Sequence, residues 1–169
     1  MEALRFIFSN YYLDVAFVAW AAAQGLKFVI YCFTEHKLRW ERLIGNGGMP
    51  SSHSATVTAL TIAVYRVETY RSPLFALVFI FAIVVMTDAM GVRLETGRQA
   101  KVINDFMESI PRDPKTGMPV FYDFKSWKFT VPEKELKEFI GHTPIEVLAG
   151  LVIGLIIGIF MPVPLGVMA

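Results

Sequence analysis

Four apolar stretches divide the chain. The first runs from about Leu13 to Phe33 and is broken only by Gln24 and Lys27. At a helical rise of about 1.5 Å per residue it is long enough to cross the ~30 Å hydrocarbon core of a bilayer. The second begins at His53, is apolar to Tyr65 and continues toward Tyr70, and the third runs from Pro73 to Met90. The short connection between them holds Arg66, Glu68 and Arg71, so the pair reads as a helical hairpin. The last stretch, from about Thr143 to Met161, carries Gly150, Gly154 and Gly158 at every fourth position. That spacing lets two helix backbones approach closely within lipid. The pattern predicts an all-α integral membrane protein, a bundle of about four transmembrane helices with spans near 13–33, 53–70, 73–90 and 143–161 in one membrane domain over 1–169.

The segment from Gly91 to His142 is too charged to cross a bilayer and too long to be a simple turn. Gln99, Ile103, Phe106 and Ile110 recur at helical intervals, which predicts an amphipathic helix over Arg93 to Ile110 lying on the membrane despite Gly97. Pro111, Pro114, Gly117 and Pro119 are turn signals, and Val120 to Phe129 mixes aromatics with charges as a short hairpin or extended loop. Pro132 followed by Glu133 and Glu135 predicts a second short helix ending at Gly141. The first ten residues lack the pattern of a removable signal peptide and read as an interfacial segment through Leu4, Phe6, Ile7 and Phe8.

An even number of spans returns the chain to its starting side. The Thr34 to Ser52 and Gly91 to His142 segments then share the opposite face. Near the span ends that face carries Lys37, Arg39, Arg42, Arg93, Arg98, Lys134 and Lys137 against Arg5, Arg66 and Arg71 on the other, which places it in the cytoplasm. Composition agrees with a lipid environment, since 54% of the residues are hydrophobic and the net charge is only +1. No basic run interleaved with aromatics suggests nucleic acid. The single Cys32 rules out an intramolecular disulfide and a cysteine-based zinc site.

Polar residues inside spans are expensive, and here they crowd toward one face. Lys27 and Gln24 lie in the half of the first span nearest that face; His53 opens the second span there, Asp88 closes the third, Arg93 follows it, and His142 with Glu146 opens the fourth. Gly47, Gly48, Met49, Pro50, Ser51 and Ser52 precede a helix start, whose free amides and dipole suit an anion. His142 and Glu146 are one helical turn apart, so the carboxylate can hold one ring nitrogen and leave the other free to attack. Taken singly, each feature also suits a snorkelling lysine, a serine cap or a capping pair. Their shared face favours a site.

These residues resemble a family. Pro50-Ser51-Ser52-His53 is similar to the Pro-Ser-Gly-His motif of the type 2 phosphatidic acid phosphatase superfamily, which includes vanadium haloperoxidases, and His142 with Glu146 resembles its His with an Asp four residues later. The larger resemblance is to the divergent branch of small bacterial and plastid membrane proteins, through Gly48 to Ala55, Asp88 to Arg93 and Gly141 to Val147. It implies a metal-independent lipid phosphate phosphatase in the bacterial cytoplasmic or plastid membrane, without cofactor. His142 would be the nucleophile, His53 the proton donor and Glu146 the group orienting His142. Ser51, Ser52, Lys27 and Arg93, with Asp88 and Arg98 beside them, would hold the phosphoryl group. Phosphatidic acid, phosphatidylglycerol phosphate and isoprenyl diphosphates are the substrates this suggests.

The sequence departs from the superfamily in three places. Ser52 replaces the motif glycine, Glu135-Leu136 stands where a Ser-Arg pair precedes the nucleophile, and the first motif of Lys with a later Arg-Pro is absent in that form. A cation must replace the missing arginine; Lys27, Arg39, Arg93, Arg98 and Lys101 are available, with Arg93 the first choice for its position beyond the third span. Two rivals remain: a metal-dependent phospho-alcohol transferase, for which only Asp88 is near a span end, and a non-catalytic phosphate- or lipid-binding protein or transporter with a degenerate site.

Overall fold

The structure is a computed structural model and describes residues 10–35, 48–110, 136 and 140–166. Among these residues it is all-helical: α1 (Tyr11–Glu35), α2 (Ser52–Glu68), α3 (Pro73–Met90), α4 (Val92–Ser109) and α5 (Pro144–Phe160). Each expected span coincides with a helix to within a few residues, and α4 occupies the expected amphipathic stretch. The interfacial segment before Asn10, the 111–129 region and nearly all of the helix expected after Pro132 lie outside the described residues.

Two stretches, Tyr11–Thr34 and the α3–α4 run Pro73–Ser109, are long and apolar enough to cross a membrane; Pro144–Phe160 is apolar but shorter. α2 is the least apolar of the four core helices because it is the most enclosed. It packs against α1, α3 and α5, and buries Ser52, Ser54, Thr58 and Thr61 among its alanines. α3 shows the converse, exposing Leu77, Phe79, Ile80, Phe81 and Val84 and burying only Ala82 and Ala89. An apolar helix with so little burial has a surface suited to lipid rather than to water.

Small residues at four-residue spacing build the core. Tyr11, Val15, Ala19 and Ala23 of α1 meet Ala55, Ala59 and Ala63 of α2. On the other side Gly150, Gly154 and Gly158 of α5 are buried against α2. A Cβ on Gly154 would meet the Ala55 carbonyl oxygen and lie 2.7 Å from the Thr58 Cβ, so the two backbones are in contact. Arg66 locks the end of the bundle remote from the histidines, donating to the Gly158 oxygen at 2.9 Å, the Met161 oxygen at 2.6 Å and the Tyr11 hydroxyl at 3.2 Å.

Candidate active site

The site lies where these seams run out at the other end of the bundle. On α1 the buried positions Tyr11, Val15, Ala19 and Ala23 continue at the same spacing to Lys27, which is 6% exposed. The register that buries the alanines therefore also carries the lysine inward. Its ammonium has no hydrogen-bond partner among the described residues. Its stem passes Gly48, whose Cβ would stand 4.0 Å from the Lys27 Cδ.

Ser51 caps α2. Its hydroxyl accepts from the Ser54 amide at 3.3 Å and from the Ser54 hydroxyl at 3.0 Å, and retains its own proton for a ligand. Its amide is not part of an anion seat, because it donates to the Glu146 carbonyl at 3.0 Å and so ties the loop before α2 to the first turn of α5. The amides of Ser52 and His53, at the first positions of the helix, are the donors left for an anion.

The His142 loop is fixed from two directions. Its amide donates to the Ala89 carbonyl near the end of α3 at 2.9 Å. Gly141 before it has φ +88°, and a Cβ there would run into the backbone of Arg93 and Leu94 at the start of α4. The sequence signal for this was present, a glycine beside the histidine, but its partners were not readable. Glu146 then does two jobs. One carboxylate oxygen accepts from the Thr143 amide at 2.9 Å, closing the start of α5, and the same oxygen lies 3.3 Å from Nδ1 of His142. Nε2 of His142 is buried without a partner among the described residues.

The two histidine rings are 6.2 Å apart, tilted at 57°. His142 is 2% exposed while His53 lies at the surface, so one forms the floor of the site and the other its rim. Burial first, and then the charge of Lys27, hold His142 below its usual value, outweighing the hydrogen bond and charge of Glu146, which act the other way. Its resting form at neutral pH is thus the imidazole with a free lone pair on Nε2.

Of the expected residues, Lys27, Ser51, Ser52, His53, His142 and Glu146 come together. Arg93 stands beside them, near enough for its charge to act on His53, with Nε held 2.5 Å from Asp88 on a half-exposed side chain. Arg98 is not joined to the site by any contact of the described residues; it faces outward and pairs with Glu95 at 2.5 Å. Its position one turn and more along α4 from Arg93 explains the difference. Lys27 therefore replaces Arg93 as the first candidate for the missing motif cation, since it is buried and uncommitted where Arg93 is exposed and paired. Arg39 lies outside the described residues. No group of three or more histidine, cysteine or acidic side chains able to hold a metal occurs among the described residues.

The chain belongs to the divergent PAP2 family, whose model matches residues 8–157. It is similar to a Bacillus subtilis (strain 168) protein named uncharacterized membrane protein YuiD, at 38% identity over 151 residues that cover 89% of this chain and 93% of the relative. No solved structure matches the chain.

Proposed function

We propose that this member of the divergent PAP2 family is a membrane phosphatase that cleaves an amphiphilic phosphate through a phosphohistidine on His142. The observation that carries this reading is the pairing of a buried ammonium, Lys27, with a buried and partnerless Nε2 on His142. Burying a cation that makes no hydrogen bond costs several kcal/mol, which the charge of Glu146 offsets in part and a bound anion would offset further. A nucleophile and a phosphate-sized charge deficit share one small volume.

In this mechanism the Nε2 lone pair attacks phosphorus while the bond to the leaving oxygen breaks. His53, across the site, delivers the proton that oxygen needs. Glu146 stabilises the positive imidazole that results, and Lys27, the Ser52 and His53 amides and the Ser51 hydroxyl hold the three remaining phosphoryl oxygens. Water, deprotonated by His53, then cleaves the P–N bond and restores His142. Nothing in these steps requires a metal.

The reading includes a four-span topology. α1, α2, α3 and α5 cross the bilayer with the site on the cytoplasmic side, and α4 lies at the interface. α2 crosses inside the bundle, which is why it tolerates buried hydroxyls. Two apolar stretches of spanning length and a relative named as a membrane protein support the association with a membrane on which this topology rests.

Phosphate release from phosphatidic acid, phosphatidylglycerol phosphate and isoprenyl diphosphates, with excess chelator, tests the proposal. The native protein should release phosphate, and His142→Ala should lose it altogether. His53→Ala should slow phosphoryl transfer most from poor leaving groups, and with an activated phosphate ester, whose leaving group departs unprotonated, it should accumulate a phosphoenzyme. Strict dependence on magnesium would instead favour a metal-dependent transferase, and phosphate binding without release a degenerate site.

A further inference from the structure

Beside the site, the seam between α1 and α5 opens. Toward the Arg66 end the two helices share the small-residue core, with Ile157 of α5 and Met161 just beyond it packed on it. Toward the histidines the seam holds an apolar groove of about 360 Å³, with Leu26 and Ile30 on one wall and Ala149 and Val152 on the other. It ends at Pro50 and Ile145. Those two residues are the chain neighbours of Ser51 and Glu146, so the groove ends beside the phosphate seat.

We infer that this groove seats one hydrocarbon chain of the phosphate substrate, which reaches the site laterally from the leaflet on that side; the inference rests on the phosphatase reading. Three observations select this occupant. The groove lining is apolar on a surface that otherwise presents Val29 and Phe33 outward, a surface for lipid rather than for water. Its volume lies at the low end for ligand pockets, a size that suits a length of one hydrocarbon chain rather than a whole two-chain lipid. Along α5 it extends from Ile145 to Ile153, about 12 Å of helix, which follows a chain through most of one ~15 Å leaflet.

Lipid tails are as apolar as leucine, so a chain gains little free energy by leaving its neighbours for the groove. What it gains is position. With the chain in the groove, the head is held over Pro50 and cannot slide away from His142. A misplacement of ~1 Å at a reacting centre costs up to ~100-fold in rate, so blocking the groove should act on turnover of long-chain substrate.

The test compares dioleoyl with dibutyryl phosphatidic acid, which share a head, in nanodiscs. Ala149→Phe fills the groove and should lower the long-chain to short-chain ratio of kcat/KM about tenfold or more. Ala76→Phe, the same change at an exposed position of α3, should keep the native ratio. An Ala149→Phe ratio equal to the native one overturns the inference. A second measurement needs no turnover: a phosphonate analogue of phosphatidic acid with a mid-chain diazirine is photolysed on the native protein. Crosslinks should fall on peptides holding Leu26, Ile30 and Val152, and crosslinks concentrated on α3 overturn the groove. Groove crosslinks from a native protein that releases no phosphate would overturn the phosphatase and leave the groove standing.

Discussion

The glycine seam of α5 makes the sharpest prediction. A Cβ on Gly154 would lie 2.7 Å from the Thr58 Cβ, and one on Gly158 2.7 Å from the Ile62 Cβ, where carbon atoms prefer ~3.5–4.0 Å. A Cβ on Gly150 would strike the Ser51 carbonyl oxygen, with the Ser54 Cβ at 3.0 Å. In each case α5 must back away from α2 by roughly 1 Å. Overpacking of this kind costs ~1–3 kcal/mol. Removing a helical glycine returns about 1 kcal/mol, which fails to cover a backbone clash. Gly154→Ala should therefore destabilise the protein by ~1–2 kcal/mol, whereas Gly25→Ala, where nothing lies within 4 Å, should be neutral or stabilising. The three seam variants should then differ in activity. Gly150→Ala pushes on Ser51, whose backbone N–H donates to the Glu146 carbonyl and so joins the two halves of the site; its turnover should fall on the order of 100-fold. Gly158→Ala lies at the remote end and should keep its turnover per folded molecule. Thermal unfolding in detergent with parallel phosphate release reads both effects. Gly154→Ala as stable as Gly25→Ala would refute the packing argument, and equal activity losses at Gly150 and Gly158 would refute the link to the site.

The remaining predictions concern the site and its frame. Because burial and then Lys27 hold His142 below its usual value, its reactive neutral form persists to lower pH than for a free histidine; the acid limb of kcat/KM should fall below ~6.5. Activity is present above that limb and lost as pH falls through it. Glu146→Gln should move the limb further down and Lys27→Met should move it up; opposite displacements in a pH–rate series would contradict the assignment. Gly141→Ala combines a positive φ, worth ~1–2 kcal/mol, with a clash against Arg93 and Leu94, so it should cut both stability and turnover. Arg66→Ala removes charge-assisted bonds to α5 and should lower stability by about 2–3 kcal/mol with turnover retained, measured by denaturant unfolding. In a Cys32→Ser background, cysteines at Thr34 and Leu136 should label from one side of the membrane and one at Ser72 from the other; labelling of all three from one side would break the four-span topology.

The sequence made some parts of this architecture legible and left others hidden. The boundaries of the helices were readable because each is set by local chemistry: Ser51 and Ser72 as caps, Pro73 and Pro144 in the first turn, Gly91 between α3 and α4. The His142–Glu146 contact was readable because both ends lie on one turn. What could not be read was the choice among cations. Lys27, Arg93 and Arg98 all fall on the correct side of a chain laid out as spans, and their separation depends on rotation about the helix axes and on competing partners. Asp88 engages Arg93 and Glu95 engages Arg98, while Lys27 has been turned inward.

That inward turn follows from the same spacing that holds the bundle together. The α1 seam runs Val15, Ala19, Ala23 and, one step on, Lys27; the α2 seam runs Ala63, Ala59, Ala55 and, one step on, Ser51; the α5 seam runs Gly158, Gly154, Gly150 and, one step on, Glu146. Small residues at every fourth position bring three backbones together, and the next position on each helix must then project into the space where the backbones are closest. An ammonium, a capping hydroxyl and a carboxylate occupy those three positions. The site is therefore a continuation of the packing, and its geometry is as rigid as the seams behind it. A substitution that loosens a seam should weaken catalysis in proportion to its closeness to that end, which is why Gly150, Gly154 and Gly158 should form a graded series in activity even where they do not in stability.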